Sequence, residues 1–156
     1  MMTKEAKSRA YAEFMEKYLS SNPDALLFVL GYVTYCHMID DVVDNEIPAD
    51  ECRNQLLLKI LRLAPVIYSS PFYMYNINKL YSLVILAHDT YVESLNFVTS
   101  NDEWKRALGD MLRHNANEVI LACVEIVGGY ESKVGAAAVL RELSYYTHHD
   151  EKGNPC

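Results

Sequence analysis

The side chains best suited to chemistry lie in one short segment, His37-Met38-Ile39-Asp40-Asp41-Val42-Val43-Asp44. If it is helical, its histidine and three aspartates fall at i, i+3, i+4 and i+7 and share one face. These residues are His37, Asp40, Asp41 and Asp44. Carboxylates at the negative end of a helix, after an apolar run, are unfavourable without a positive charge. Mg²⁺ takes oxygen ligands and bridges to phosphates. The segment is therefore a candidate magnesium site, and the alternative is a solvated acidic helix end.

A second arrangement lies on a later predicted helix. Asn117 and Glu125 are two helical turns apart on one stripe, and Arg113 continues that stripe backwards. An amide and a carboxylate so placed are suited to a second metal–phosphate unit. The alternative is an ordinary core helix, because the residues between them are mostly apolar.

Both segments resemble a known family. The segment Tyr32–Glu46 looks like the first aspartate-rich helix of class I isoprenoid synthases, in the form found in polyprenyl diphosphate and squalene/phytoene synthases. Asn117, Glu118 and Glu125 are similar to the second metal motif of terpene synthases, Asn-Asp-x-x-Ser-x-x-x-Glu. Leu121 stands where that motif has a Ser or Thr ligand.

The resemblance implies an all-α fold in which two acidic helices face each other across a cavity. Mg²⁺ would hold a prenyl diphosphate there and assist its ionisation. Carried over by position, the metal ligands would be Asp40, Asp41, Asp44, Asn117 and Glu125, with Arg113 and Arg53 as diphosphate-binding candidates. Family members are longer, so a homodimer is one way to complete the cavity.

A competing metal site is built on histidine. His88-Asp89 is similar to the His-Asp doublet of HD-domain phosphohydrolases, whose metal activates water. That resemblance implies His37, His88, Asp89 and Asp110 as ligands. Asp89 and Glu93 also form an i, i+4 pair of the kind found in α-helical nucleotide pyrophosphohydrolases. A hydrogen-bonded core histidine and a non-catalytic helical interaction protein are the remaining alternatives.

Composition limits the partners. The chain has 156 residues, 51% of them hydrophobic, and a net charge of -7, which disfavours broad contact with nucleic acid. The longest apolar run, residues 25–39, is short for a membrane span and contains Gly31 and His37. We therefore expect a cytoplasmic protein with no membrane contact, with a small diphosphate as partner and four buried free thiols.

The candidate residues require helices to position them. Capping and breaking signals predict an all-α bundle of about six helices, in a single domain over residues 1–147 with a flexible polar tail over 148–156. The predicted helices cover about 4–19, 23–45, a third that starts at residues 47–51, 72–98, 100–127 and 132–146. Pro65 is expected to stop or kink the third helix. Ser100 and Glu103 have capping-box spacing.

Overall fold

The computed structural model describes residues 4–45, 47 and 52–148, and these residues form helices without a strand. The all-α prediction is therefore confirmed. The helices are α1 (Lys4–Leu19), α2 (Pro23–Asp44), α3 (Arg53–Tyr68), α4 (Pro71–Tyr75), α5 (Ile77–Ser94), α6 (Glu103–Arg113) and α7 (Ala116–His148). All of the predicted tail except His148 lies outside the described residues.

The described residues cluster into two compact units. One contains the residues up to Asn22 and those from Asn78 onward, and the other is Pro23–Ile77. The first unit includes α1, α5, α6 and α7, with α1 packed on α7. The second includes α2, α3 and α4. The expected single domain stays a prediction.

In the second unit, α2 and α3 form an antiparallel pair. A methyl group added at Gly31 would lie 3.2 Å from Ile67 Cγ1, so the two backbones approach closely there. Further along α2, Val42 shares a buried cluster with Leu56 and Ile60. Later residues of α2 thus contact earlier residues of α3. The end of α2 and the beginning of α3 consequently lie at the same end of the pair.

In the first unit, α7 is two helical arms joined at Gly129. This glycine has φ 81° and ψ 178°, a conformation open almost only to glycine. Side-chain pairs separated by 8, 23 and 27 positions join the arms, which is possible only if the arms run antiparallel. The pairs are Glu125 with Lys133, Glu118 with Arg141 and Asn117 with Ser144. The predicted break between the last two helices is confirmed.

The fourth predicted helix, residues 72–98, is wrong as a single element. It is divided into α4 and α5 at Asn76, whose Nδ2 donates to Phe72 O at 2.9 Å. Asparagine competes with the helical backbone for such hydrogen bonds and so favours helix ends. The break explains why α4 has only 5 residues.

The fifth predicted helix also differs. It begins later than expected, because Asp102 rather than Ser100 is the N-cap and accepts from Trp104 N at 2.9 Å. It also ends at Arg113 instead of continuing to residue 127. The connection to α7 is held by Asn115, whose Nδ2 donates to Thr90 Oγ1 at 3.1 Å.

The third predicted helix continues through its proline. α3 begins at Arg53 and reaches Tyr68 with Pro65 inside it, so Pro65 does not end the helix. The predicted start at residues 47–51 lies largely outside the described residues. The bond from Cys52 N to Gln55 Oε1, 2.8 Å, supports the first turn.

α2 has the length and composition of a membrane span, alone among the helices of the described residues. Its most apolar window has a mean hydropathy of 1.4, and 22% of that window is buried. The sequence prediction considered only residues 25–39, whereas the helix extends through Asp44. Core helices of soluble proteins share this composition, and Phe28 of α2 packs on Phe72 and Tyr73. The cytoplasmic location stays a prediction.

Three of the four cysteines lie in the described region, and all three are free thiols. Cys123 is buried and Cys36 half-buried. The expected burial is wrong for Cys52, which is exposed immediately before α3. Cys156 lies outside the described residues.

Candidate metal and diphosphate site

The aspartate-rich segment occupies the last two turns of α2. Because α2 is continuous to Asp44, the spacing of its histidine and aspartates does place them on one helix face. Asp40 and Asp41 are half-buried, whereas His37 and Asp44 are exposed. No basic residue lies in the last turn of α2. The helix ends at Asn45, which has φ 60°, in the left-handed conformation typical of a residue that follows a helix.

A positive helix end lies beside this negative one. The antiparallel packing of α2 and α3 places Arg53, the first residue of α3, at the same end of the pair as Asp44. Arg53 is exposed. The first turn of a helix presents backbone N–H groups and a partial positive charge, which together favour anions. This end of the unit therefore combines carboxylates that suit a cation with a terminus and a guanidinium that suit a phosphate.

The residues leading to the aspartates form an aromatic and thiol cluster. The rings of Tyr35 and Tyr68 meet edge to face with centroids 6.0 Å apart. Burial raises the pKa of Cys36 to about 12; a hydrogen bond with Tyr32 opposes that rise and the charge of Asp40 adds to it. Burial also raises the pKa of Tyr68. The charge of Asp40 therefore acts on the thiol of Cys36, which lies in a poorly solvated part of the protein.

The number of metal ligands that the protein supplies is small. Within the described residues, no three His, Cys, Asp or Glu side chains are grouped so that they could hold one ion. Asp40 and Asp44, one turn apart on α2, form a pair of carboxylates at i, i+4 spacing. Mg²⁺ is commonly bound by one or two carboxylates, with water and substrate phosphates as its other ligands. A magnesium ion at α2 would therefore need phosphate and water to complete its coordination.

The second predicted metal stripe is occupied by contacts within α7. Asn117 is buried and its Nδ2 donates to Ser144 Oγ at 2.9 Å. Glu125 Oε2 accepts from Lys133 Nζ at 2.8 Å, and this hydrogen bond holds the pKa of Glu125 below its usual value. A metal bound to Asn117 and Glu125 would have to replace both contacts. These residues belong to the first unit, so the shared cavity with Asp40 stays a prediction.

The predicted continuation of this stripe to Arg113 is wrong. Arg113 ends α6, whereas Asn117 belongs to α7, and the chain is not helical between the two elements. The Arg113 guanidinium lies over the ring of Tyr91, with 5.6 Å from Cζ to the ring centroid. Sequence spacing alone did not indicate this break, because His114 and Asn115 are compatible with a helix.

The alternative histidine site is distributed over three helices. His88 is half-buried on α5, where desolvation lowers its pKa and the charge of the exposed Asp89 opposes that shift. Asp110 is half-buried on α6. These three residues belong to the first unit, while His37 belongs to the second. Within the described part of the chain, no three of these four side chains are grouped so that they could hold one metal ion.

No family model, no curated protein and no solved structure matches this chain. The resemblance to class I isoprenoid synthases therefore depends on the residues of the two motifs alone.

Sequence reasoning did not find two of the residues that shape these sites. Tyr68 enters the aromatic cluster from α3, and Ser144 fixes the amide of Asn117 from the far arm of α7. Both contacts depend on which helices pack together. Short-range spacing carries no signal for them.

Proposed function

We propose that the protein binds an isoprenoid-type diphosphate through Mg²⁺ at the aspartate-bearing end of α2. The observation that supports this most directly is the antiparallel packing of α2 and α3. It puts Asp40 and Asp44 at the same end of one unit as Arg53 and the N-terminus of α3. The site thus offers ligands for a cation and for the anion that the cation would carry.

The proposed chemistry follows from this charge arrangement. Asp40 and Asp44 would hold Mg²⁺, and Arg53 with the first turn of α3 would neutralise the remaining negative charge of a bound diphosphate. When bound, Mg²⁺ stabilises the negative charge that grows on a diphosphate leaving group, which is the requirement for ionising a prenyl diphosphate. Asp41, between the two proposed ligands, adds to the negative field that attracts the ion.

The decisive experiment measures ligand-dependent thermal stability. Melting curves are recorded with Mg²⁺ alone, with pyrophosphate alone, with both together, and with Mg²⁺ plus farnesyl diphosphate. A ligand at 100 times its dissociation constant stabilises the folded state by about 2.7 kcal/mol. For a chain of this size, that corresponds to a rise in melting temperature of roughly 5–10 °C. We expect this rise only when metal and diphosphate are both present.

A matched pair of variants assigns the effect to the site. Asp40→Asn is expected to abolish the rise, and Asp24→Asn, which removes an exposed acid in the first turn of the same helix, is expected to retain it. Loss of the rise in both variants, or in neither, contradicts the proposed site. A rise with pyrophosphate but none beyond it with farnesyl diphosphate would retain the diphosphate site and exclude a contribution from the prenyl chain.

A further inference from the structure

One face of α5 exposes apolar side chains in a regular pattern. Tyr81, Ile85 and Val92 are exposed by 57%, 40% and 64%, and half-buried His88 lies between them. Their positions follow i, i+4, i+7 and i+11, the spacing with which one helix packs along another in a coiled coil. We call these four residues the α5 seam. A large apolar side chain exposed singly is ordinary, but a row of them at packing intervals is typical of a contact surface.

A second exposed apolar row lies on α3. Leu57, Leu58 and Leu61 are exposed by 38%, 46% and 70%. They lie beside the buried face formed by Leu56, Ile60 and Ile67, which is already packed within the second unit. We call the three exposed residues the leucine stripe. Since the buried face of α3 is separate from it, the leucine stripe remains available for another contact.

The two rows have opposite charges along their edges. The helix α3 contains three basic residues and no acidic one, and its exposed Arg62 borders the leucine stripe. On α5, the exposed Asp89 and Glu93 border the seam. At 3.6 residues per turn, both charged edges follow their apolar rows by about a quarter turn in the same sense. Two such helices bring these edges together when they pack antiparallel.

We propose that the leucine stripe of one chain packs antiparallel on the α5 seam of a second copy of the chain. The exposed apolar side chains of the two rows supply the buried area, and Arg62 pairs with Asp89 and Glu93 of the other copy. A two-fold dimer contains this contact twice, because each copy contributes one α3 and one α5. The proposal does not depend on diphosphate binding, and its readout is molecular mass.

Charge exchange between two variants tests the contact. Arg62→Glu and Asp89→Lys are each expected to weaken the dimer by about tenfold or more, because each opposes like charges at both contacts. Mixed one to one, the two variants are expected to form a heterodimer, since one contact then pairs Glu with Lys and the other keeps the native pairing. Light scattering after size exclusion gives the masses, and native mass spectrometry identifies the heterodimer.

An apolar variant with a matched control tests the leucine stripe separately. Leu61→Gln is expected to weaken the dimer, and Leu27→Gln on α2 is expected to leave it unchanged, since the two leucines are exposed by 70% and 68%. Circular dichroism confirms that each variant is folded. A wild-type protein that stays monomeric up to high concentration overturns the proposal. Variants that remain as dimeric as the wild type, or a mixture that forms no heterodimer, overturn it equally.

Discussion

Asn117 and Ser144, 27 positions apart in sequence, are joined by a buried hydrogen bond across the two arms of α7. Asn117 Nδ2 donates to Ser144 Oγ at 2.9 Å. The single hydroxyl hydrogen of Ser144 has two acceptors within reach, Asn117 Oδ1 at 3.1 Å and Leu140 O at 2.9 Å. Because this pair is buried, a shift of one arm along the other would break its hydrogen bonds inside the protein, so the pair fixes how the arms align.

Replacing either partner is expected to destabilise the protein. Asn117→Ala removes the donor and the acceptor that face Ser144, and we expect a loss of about 1–3 kcal/mol in the free energy of unfolding. Ser144→Ala should have a similar effect. The double variant should lose less than the sum of the two, because each residue's contribution depends on the other. Urea denaturation measures all three, and the exposed Asn78→Ala is the control; strict additivity would contradict the pairing.

The proposed anion subsite makes a prediction about Arg53. Arg53→Gln is expected to weaken binding of Mg²⁺ with pyrophosphate by about tenfold, the usual scale for losing one charge-assisted hydrogen bond to a phosphate. Lys59→Gln removes an exposed basic residue further along the same helix, outside the proposed dimer contact, and should not change the affinity. Isothermal titration calorimetry measures both. Equal affinity in wild type and Arg53→Gln would place the diphosphate away from the start of α3.

Stability should depend on pH through His88. Burial lowers the pKa of His88 below its usual value of 6.5, so the folded state binds a proton less readily than the unfolded state. The stabilisation is fully present above pH 6.5 and is lost as the pH falls below that value through the folded-state pKa. His88→Gln should remove part of the acid-induced decrease in stability. Denaturation curves between pH 7 and pH 5 test this, with His37→Gln as the matched histidine replacement.

The conformation of Gly129 predicts a strong sensitivity to substitution. Gly129→Ala forces a side chain into a backbone region that costs about 1–3 kcal/mol for residues other than glycine. Gly135→Ala, in the following arm, is the control, because the added methyl group would lie 3.5 Å from Tyr18 Oη, at ordinary contact distance. Alanine should stabilise that helical position by up to about 1 kcal/mol. Thermal melts that rank the two variants in the opposite order would contradict the break.

The sequence predicts helix starts and stops well where a backbone requirement is local. Pro23 starts α2, and the glycine pair 128–129 divides the last two helices, as expected. It fails at Asn76, whose amide donates to Phe72 O one turn back, and at Asn115, whose amide donates to Thr90 Oγ1 of α5. The sequence does not show whether an asparagine inside an apolar pattern will end a helix, because that depends on which acceptor lies beside its amide.

The candidate site divides in the same way. The common face of the α2 aspartates follows from helical spacing and is present in the structure. The proposed role of Arg53 depends on α3 returning along α2, and the pairing of Asn117 with Ser144 depends on the fold of α7. These are relationships between distant segments. Spacing within a single helix cannot specify such contacts, so the sequence indicates the candidate residues but not the residues that they contact.

The order of the two units along the chain has a consequence for synthesis. The segment 23–77 is continuous, so α2, α3 and α4 can dock as soon as they have left the ribosome. The helix α1 packs on α7, which is synthesised much later than α1. The apolar residues Phe14 and Leu19 of α1, which are buried in the folded protein, therefore stay uncovered until α7 has been made. Nascent chains stalled before α7 should therefore bind chaperones through α1.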